Sequence, residues 1–437
     1  MRVSRALLFV VAAFPAVPAS AIDWHDPQAV AAAALENNPT ILRLQSEVEA
    51  ARERIAPAAS QPNPMVMAGV QNKEIDLGDD AMMTMYMVGA RQTFADPARR
   101  RARRSIAELE VRAVEQQIAS ARAEIERDAL LAWYDAATAD SQIVAAEQVR
   151  GLIEAIIDAA RVRYEVGNAA QAEVIRAHLE RSNLEHLILA LRGIRSAALA
   201  RLLPLLGMPV NTAVPRLHLP HATGRTQIGA PIEPPAGHPA LAVLEAEIER
   251  QEAVIRLARL ATRPDLSVEA SYGYRREQRD MFSVVASIEL PFRRGSLIEP
   301  RIREAVAGRE AAERRVEELR RQLTRALAVA AALHEQADQQ LRLHEEVLVP
   351  QARLAFESTL GSYQTGRASF DGVLAAESTY LRLQLDHYEF LAQHIKAVTD
   401  FEAIRKGAVS SALRSPMSSP ARGASGPSAT TPTMGGM

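Results

Sequence analysis

Methionine is the only sulfur-bearing side chain in the protein, because its 437 residues include 12 methionines and no cysteine. Half of the methionines fall within one short stretch: Met65, Met67, Met82, Met83, Met85 and Met87. A strand here would place Met83, Met85 and Met87 on one face, because they alternate along the chain. Thioethers prefer soft ions such as Cu(I) and Ag(I), which favours a metal-export role. Methionine that packs against other side chains or faces lipid is the alternative interpretation.

Catalytic and cofactor-binding patterns are missing from the sequence. It contains no H-E-x-x-H motif, no G-x-S-x-G elbow and no glycine-rich phosphate loop. Its ten histidines have no metal-ligand spacing, and the formal net charge of −2 gives no general attraction to nucleic acid. The sequence therefore predicts a protein that is not an enzyme and has no resident metal or cofactor.

Two tyrosine-to-glycine motifs, roughly 200 residues apart, indicate tight turns between helices. The first is Tyr164-Glu165-Val166-Gly167, and the second is Tyr363-Gln364-Thr365-Gly366. Glycine suits such a reversal because it adopts positive φ without a steric penalty. Both motifs are typical of ordinary helix-terminating turns, and any recognition role is additional to that.

The whole organisation of the chain is duplicated at the same spacing. Asn38-Pro39 corresponds to His238-Pro239, and Pro64 opens one apolar segment as Pro264 opens another. Each copy reads as a β-hairpin followed by a very long helix. A unit with so few strands cannot close a sheet alone, so the duplication points to an assembly of several chains.

The sequence predicts these boundaries. Residues 1–21 form a signal peptide, with Arg2 and Arg5 before an apolar stretch and Ala19-Ser20-Ala21 as the cleavage site. A first repeat at 22–207 follows, with strands 65–72 and 82–94 and helices 97–165 and 170–206. A linker at 208–238 leads to a second repeat at 239–407, with strands 265–275 and 281–292 and helices 299–363 and 369–407. The last segment is a disordered tail at 408–437. Without cysteine, the mature N-terminus cannot be lipidated at a thiol.

The helices have unusual features. Residues 26–60 are expected to form one helix, and 97–165 a helix about 100 Å long, far longer than a compact domain needs. Gly151 and Pro350 occupy matching places upstream of the two tip glycines. Both residue types weaken a helix, so we expect a bend at this level in each copy.

The four strands roughly reach the length that crosses a bilayer, with aromatic residues in or beside them. Leu266, Val268 and Ala270 would share one face of the third strand. A soluble four-stranded sheet is the alternative. Because lipid tolerates no open sheet edge, membrane insertion would require partner chains. The arginines that open the long helix at 99–104 would then face lipid headgroups, or remain a solvated helix face.

Three features carry a family resemblance: the paired tyrosine-to-glycine tips, the segment Leu348-Val349-Pro350 upstream of the second tip, and the strand-to-helix joins near Phe94 and Phe292. With these features, the chain resembles the TolC family of outer-membrane efflux ducts over nearly all of residues 25–407. The resemblance implies an α+β membrane protein, a homotrimer with a twelve-strand barrel in outer-membrane lipid and a periplasmic α-helical barrel. It also implies docking to a periplasmic adaptor served by an inner-membrane pump of the RND type. The methionine-rich strand is similar to heavy-metal branches of the family.

The resemblance also suggests roles for residues at the tips. Val166, Gly167, Thr365 and Gly366 are the adaptor-docking candidates. Tyr363, Arg367, Glu173 and Asp371 are expected to form a closed-state lock and a ring that attracts cations. The second copy departs from the family pattern, because Gly372 stands where an acid is usual and Arg367 is shifted by one position.

The predicted function is therefore an exit duct of a tripartite efflux or type I export system, leaning towards copper or silver. A duct for drugs or organic solutes is the alternative within the family. A soluble periplasmic coiled-coil scaffold would explain the helices but leave the four strands without a role.

Overall fold

A computed structural model of the protein describes residues 22–36, 38–72, 84–220, 228, 232–276, 278–290 and 294–409. The expected signal peptide, Met82, Met83 and nearly all of the expected disordered tail lie outside these residues. Within them, no helix is both long enough and apolar enough to cross a membrane.

Long helices and one small sheet make up the fold. The helices are α1 Pro27–Glu36, α2 Pro39–Glu53, α3 Ile55–Ala59, α4 Pro97–Glu165, α5 Gln171–Leu205, α6 Pro239–Leu260, α7 Glu299–Leu343, α8 Val349–Gln364 and α9 Phe370–Lys406. The strands are β1 Met65–Gln71, β2 Met85–Phe94, β3 Leu266–Arg275 and β4 Met281–Ile288. Short π-helical turns at Arg294–Ile298 and His344–Leu348 precede and follow α7.

Helix α4 is the central element, with 69 residues in one unbroken run. It begins where the Asp96 carboxylate accepts hydrogen bonds from the backbone N–H groups of Ala98 and Arg99, at 2.6 and 3.2 Å. Pro97 occupies the first turn, where the missing N–H costs nothing. Because α5, α6 and α9 all pack against α4, it holds the two copies together.

The expected single helix over 26–60 is wrong, since α1, α2 and α3 are separate. Pro39 disfavours helical backbone at the preceding residue, and Asn38 is extended with φ −72° and ψ 123°. The Asn38 side chain then accepts a hydrogen bond from the N–H of Thr40 at 2.9 Å and caps α2. The apolar pattern continues across this break, which concealed it in the sequence.

The matched weak points at Gly151 and Pro350 behave differently. A π-helical turn at His344–Leu348 interrupts the second copy just before Pro350. Helix α4 passes through Gly151 without any such interruption, because glycine keeps the N–H that proline lacks. The second copy alone has an irregular turn at this level.

In each repeat, the residue before one proline-initiated helix, α2 or α6, contacts the end of the last helix of a repeat. Asn38 Nδ2 donates to the carbonyl oxygen of Leu205 at 3.5 Å, at the end of α5. His238 Nε2 lies 2.7 Å from the carbonyl oxygen of Ile404, near the end of α9. Burial lowers the pKa of His238, so the neutral ring donates here.

The sheet is antiparallel in the order β1-β2-β3-β4, and its two faces differ. One face is apolar except for Gln92 and consists of Val66, Ala68, Val70, Tyr86, Val88, Ala90, Phe94, Leu266, Val268, Ala270, Tyr272, Tyr274, Phe282, Val284, Ala286 and Ile288. The other face carries the Arg91–Glu269 ion pair at 2.5 Å and the Thr93–Ser267 hydroxyl pair at 3.0 Å.

The described strand methionines all lie on the polar face, as their register with Arg91 and Glu269 requires: Met65, Met67, Met85, Met87 and Met281. These five residues therefore share a face with the charged pair Arg91 and Glu269, and not with the aromatic and aliphatic side chains of the opposite face. Because side chains alternate between faces, the register alone determines this placement.

Candidate functional site at the tips of the helical hairpins

The two helical hairpins end in the same backbone turn. Gly167 and Gly366 adopt φ +75° and +78°. Beyond each glycine, the N–H of Asn168 or Arg367 donates to a helical carbonyl five residues earlier, at 2.8 Å in both tips. This pair of features is a Schellman motif, which ends a helix cleanly and lets the chain reverse.

Tyr363 joins the two tips to each other. It is 1% exposed and packs in an apolar cluster with Phe356 and Phe370. Its hydroxyl donates to Oε2 of Glu173 on the other hairpin at 2.6 Å. Burial, and then the hydrogen bond to this carboxylate, raise the pKa of Tyr363, so it stays a neutral donor at physiological pH.

Arg163 completes this contact, although the sequence did not single it out. Its guanidinium lies 4.5 Å from the centroid of the Tyr363 ring. It also donates to the backbone carbonyls of Tyr363 and Asn168. Arg163 thus covers the ring of the tyrosine whose hydroxyl holds Glu173. A basic residue in the last turn of α4 was the available signal, and it is common at helix ends.

A second bridge joins Asp371 at the start of α9 to Arg176 on α5, at 3.0 Å. Both side chains are exposed, so this pair contributes little to stability by itself. The remaining candidate, Arg367, is exposed at the tip and makes no side-chain hydrogen bond or ion pair within the described part of the chain. Tyr363 and Glu173 are brought together, and Asp371 and Arg367 lie apart from them.

The contact of Tyr363 with Glu173 and Arg163 has no counterpart at the equivalent positions of the duplicated motif. Tyr164 corresponds to Tyr363 but is 46% exposed. Ser362 and Gly372 stand where Arg163 and Glu173 would be needed. The duplication is therefore broken at the place where the two hairpins touch.

The candidate docking residues form the outermost surface of the tips. Val166 is 63% exposed, and Gly167, Thr365 and Gly366 are exposed as well. The turns expose backbone and small side chains, so another helix can approach them closely.

A buried acid lies in α9 beyond the second tip. Glu377 is fully buried, and neither carboxyl oxygen has a hydrogen-bond partner in the described structure. Burial, and then the nearby carboxylate of Glu180, raise the pKa of Glu377 to about 7. No sequence pattern marked it, because its burial depends on how α9 packs.

Among the described residues, no group of three or more His, Asp or Glu side chains is arranged to hold a metal ion.

Comparison with known proteins places this geometry in context. The sequence matches the family described as outer membrane efflux protein over residues 30–208 and 235–404. A comparison with curated proteins gives no match.

Several solved structures share the fold. The outer-membrane channel OprN superposes with a TM-score of 0.76 at 16% identity, covering 88% of this chain and 91% of OprN. CusC gives 0.71 at 16% identity, with 91% and 96% covered. The open state of the MtrE outer membrane channel of Neisseria gonorrhoeae gives 0.71 at 17% identity, with 89% and 92% covered.

Proposed function

The chain belongs to the outer membrane efflux protein family, and on that basis we propose that it is the exit duct of a tripartite export system. Members of this family are passive channels and not enzymes, and they lie in the outer membrane and extend into the periplasm. A soluble periplasmic scaffold is excluded by this membership. One observation carries the proposal: the sheet with one apolar face leads, from Phe94 to Pro97, directly into the 69-residue helix α4.

The functional unit that we propose is a homotrimer. The sheet has four strands, and β1 and β4 are its edges. Lipid cannot satisfy the free N–H and C=O groups of an edge, so edges in a membrane must pair with other chains. Three chains would close a twelve-strand barrel, with the apolar face towards outer-membrane lipid and the Arg91–Glu269 face towards the lumen.

The helices then form a tunnel that spans the periplasm. Helix α4 alone extends about 100 Å from the end of the sheet. Conduction through such a tunnel needs no chemistry, because the duct only provides a water-filled path with polar walls.

The tip contacts hold the periplasmic entrance closed in this proposal. Opening would separate the hydroxyl of Tyr363 from Glu173 and its ring from Arg163, and would break the exposed bridge from Asp371 to Arg176. Glu173 and Asp371 would attract cations to the entrance. The exposed Arg367 is available to a neighbouring protomer.

The partner at the tips is a periplasmic adaptor fed by an inner-membrane pump, for which we propose the RND type. Val166 and Gly167 on one tip, and Thr365 and Gly366 on the other, present the exposed docking surface. Small neighbours such as Ala169 would let a helical hairpin of the adaptor pack closely.

For the substrate we propose copper or silver ions. The methionines on the polar sheet face support this choice, because thioethers are soft ligands. A duct for organic drugs remains the competing proposal, since selectivity in such a system mostly belongs to the pump.

Deletion of the protein tests these proposals. We expect the deletion strain to become more susceptible to silver and copper, and plasmid-borne wild type to restore resistance. Increased susceptibility to organic drugs alone would favour the competing substrate. Unchanged susceptibility to all toxic solutes, together with no conductance in planar bilayers, would contradict the export function itself.

A further inference from the structure

Three methionines surround one glycine at the loop end of the polar sheet face. Gly273 on β3 is the direct cross-strand partner of Met87 on β2 and of Met281 on β4. Met85, two residues before Met87, lies on the same face. The three side chains therefore come from two strands on either side of a position that has no side chain.

The sulfur of Met85 lies directly over this glycine. A Cβ atom added to Gly273 would be 2.2 Å from Sδ of Met85 and 2.8 Å from its Cγ. Cβ positions of directly opposed residues are about 4.5–5.5 Å apart in an antiparallel pair. The Met85 sulfur thus lies over the strand position that Met87 and Met281 flank in register.

The charged group closest in register does not occupy this space. Arg275 is the cross-strand partner of Met85. Its guanidinium is turned to the β3–β4 loop, where it donates to Oε1 of Gln278 at 2.7 Å and to the carbonyl oxygen of Arg279 at 2.7 Å. What remains over Gly273 is a set of neutral thioether donors that are partly open to solvent.

We propose that Met85, Met87 and Met281 form a thioether site for one soft monovalent cation, Cu(I) or Ag(I), in each chain. Thioether sulfur is a soft, uncharged ligand that favours such ions over Mg²⁺, Ca²⁺ or Na⁺. Neutral ligands hold a passing ion less tightly than thiolates, which suits a conducting path that must release its cargo. The inference rests on the proposed exit-duct function and specifies where its metal substrate is bound near the exit.

Silver titration of the purified trimer in detergent tests the site, with calorimetry as the readout. Wild type is expected to bind one more Ag(I) per chain than the triple variant M85L/M87L/M281L. Leucine nearly preserves the volume of methionine and removes only the sulfur. M65L is the matched control, because Met65 lies on the same face at the far end of β1 and should bind as wild type does. Equal silver binding by wild type and the triple variant would overturn the proposal.

A second variant keeps all three sulfurs. G273A would place a methyl group on the Met85 sulfur, and we expect silver affinity to fall by about tenfold or more. G151A is its control, since Gly151 lies in helix α4, outside the sheet, with no atom within 4 Å of an added Cβ. Wild-type silver affinity in G273A would also overturn the site.

Conductance in planar bilayers separates this inference from the proposed function. If the protein forms channels but loses no silver binding in the triple variant, the thioether site is wrong and the duct stands. If wild type forms no channel, the proposed function fails, whatever the silver titration shows.

Discussion

At the scale of single residues, the hydroxyl of Tyr363 is the most consequential group at the tips. It connects the second hairpin to Glu173 on the first, while Arg163 covers its ring. A hydrogen bond to a charged acceptor contributes roughly 1.5–3 kcal/mol when it is shielded from water. This hydroxyl therefore adds a polar contact to the apolar packing that holds the tips of the two hairpins together.

We expect Y363F to loosen the closed tips, because phenylalanine preserves the packing and removes only the donor to Glu173. Closed-state conductance in planar bilayers should rise severalfold, and cells should become more permeable to large antibiotics. Y164F is the matched control, since Tyr164 occupies the equivalent place and is exposed. Equal conductance of Y363F and wild type would remove Tyr363 from the lock.

Glu377 makes the stability of the folded protein fall as the pH rises, whereas most acids in proteins have the opposite effect. Its folded pKa of about 7 lies above the ordinary 4.5, so the folded state binds the proton more tightly than the unfolded state. Its contribution to stability is complete below about pH 4.5 and is lost as the pH rises to about 7.

Replacing this acid with the neutral E377Q should remove that loss. At pH 8 the variant should be more stable than wild type by on the order of 3 kcal/mol, and the gain should vanish near pH 4.5. Thermal unfolding of the detergent-solubilised trimer across this pH range measures it. E185Q, on the exposed face of α5, is the control that should follow wild type. A constant difference between E377Q and wild type at all pH values would contradict the assignment.

Among the tip residues, the sequence could predict local features but not contacts between residues that are far apart along the chain. Gly167 and Gly366 were predictable, because their local motifs require a turn. The pairing of Tyr363 with Glu173 was anticipated only through a family resemblance. Arg163 was missed, since its contact depends on how two hairpins distant in sequence pack side by side.

At the scale of elements, the tip glycines differ from glycines inside helices. Any other residue at position 366 would have to adopt a backbone φ of +78°, which L-residues tolerate poorly. Gly151 has helical backbone and open space where a Cβ would go.

The same substitution should therefore have opposite effects at these two positions. G366A should destabilise the protein by about 1 kcal/mol, and G151A should stabilise it by about 0.5–1 kcal/mol. The midpoints of thermal unfolding of the trimer should move in opposite directions. Shifts of the same sign would show that Gly366 does not need its left-handed backbone.

The boundaries of the elements were predictable where local chemistry determines them. Asp96-Pro97 begins α4 and Gly167 ends its turn, and both follow from capping rules. The break at Asn38 lies inside a continuous apolar pattern, so the sequence does not reveal it. The register of the sheet could not be predicted, because it depends on pairing β2 with β3 across the whole first repeat.

At the scale of the whole molecule, the two faces of the sheet determine the orientation of the proposed barrel in the membrane. Val284 and Val285 are neighbours on β4, yet they lie on the apolar and polar faces respectively. They are 61% and 50% exposed in the single chain, so burial within it does not distinguish them.

V284K should destabilise the inserted trimer, because a lysine on a lipid-facing strand costs about 2–4 kcal/mol near the bilayer midplane. V285K should insert normally and shift the ion selectivity of the channel towards anions. Heat-resistant trimer on gels and reversal potentials measure the two effects. If V285K rather than V284K prevented assembly, the faces would be assigned the wrong way round.

The side chains that fasten each repeat have a consequence for the order of the chain. Asn38 binds the end of α5 and His238 binds near the end of α9, so each copy starts and finishes in the same neighbourhood. A circular permutant could therefore be made by joining the original termini and placing new termini within 208–238, so that the second copy precedes the first. Such a circular permutant should still assemble into the proposed trimer, as would be expected if the chain descends from a half-length ancestor that assembled six at a time.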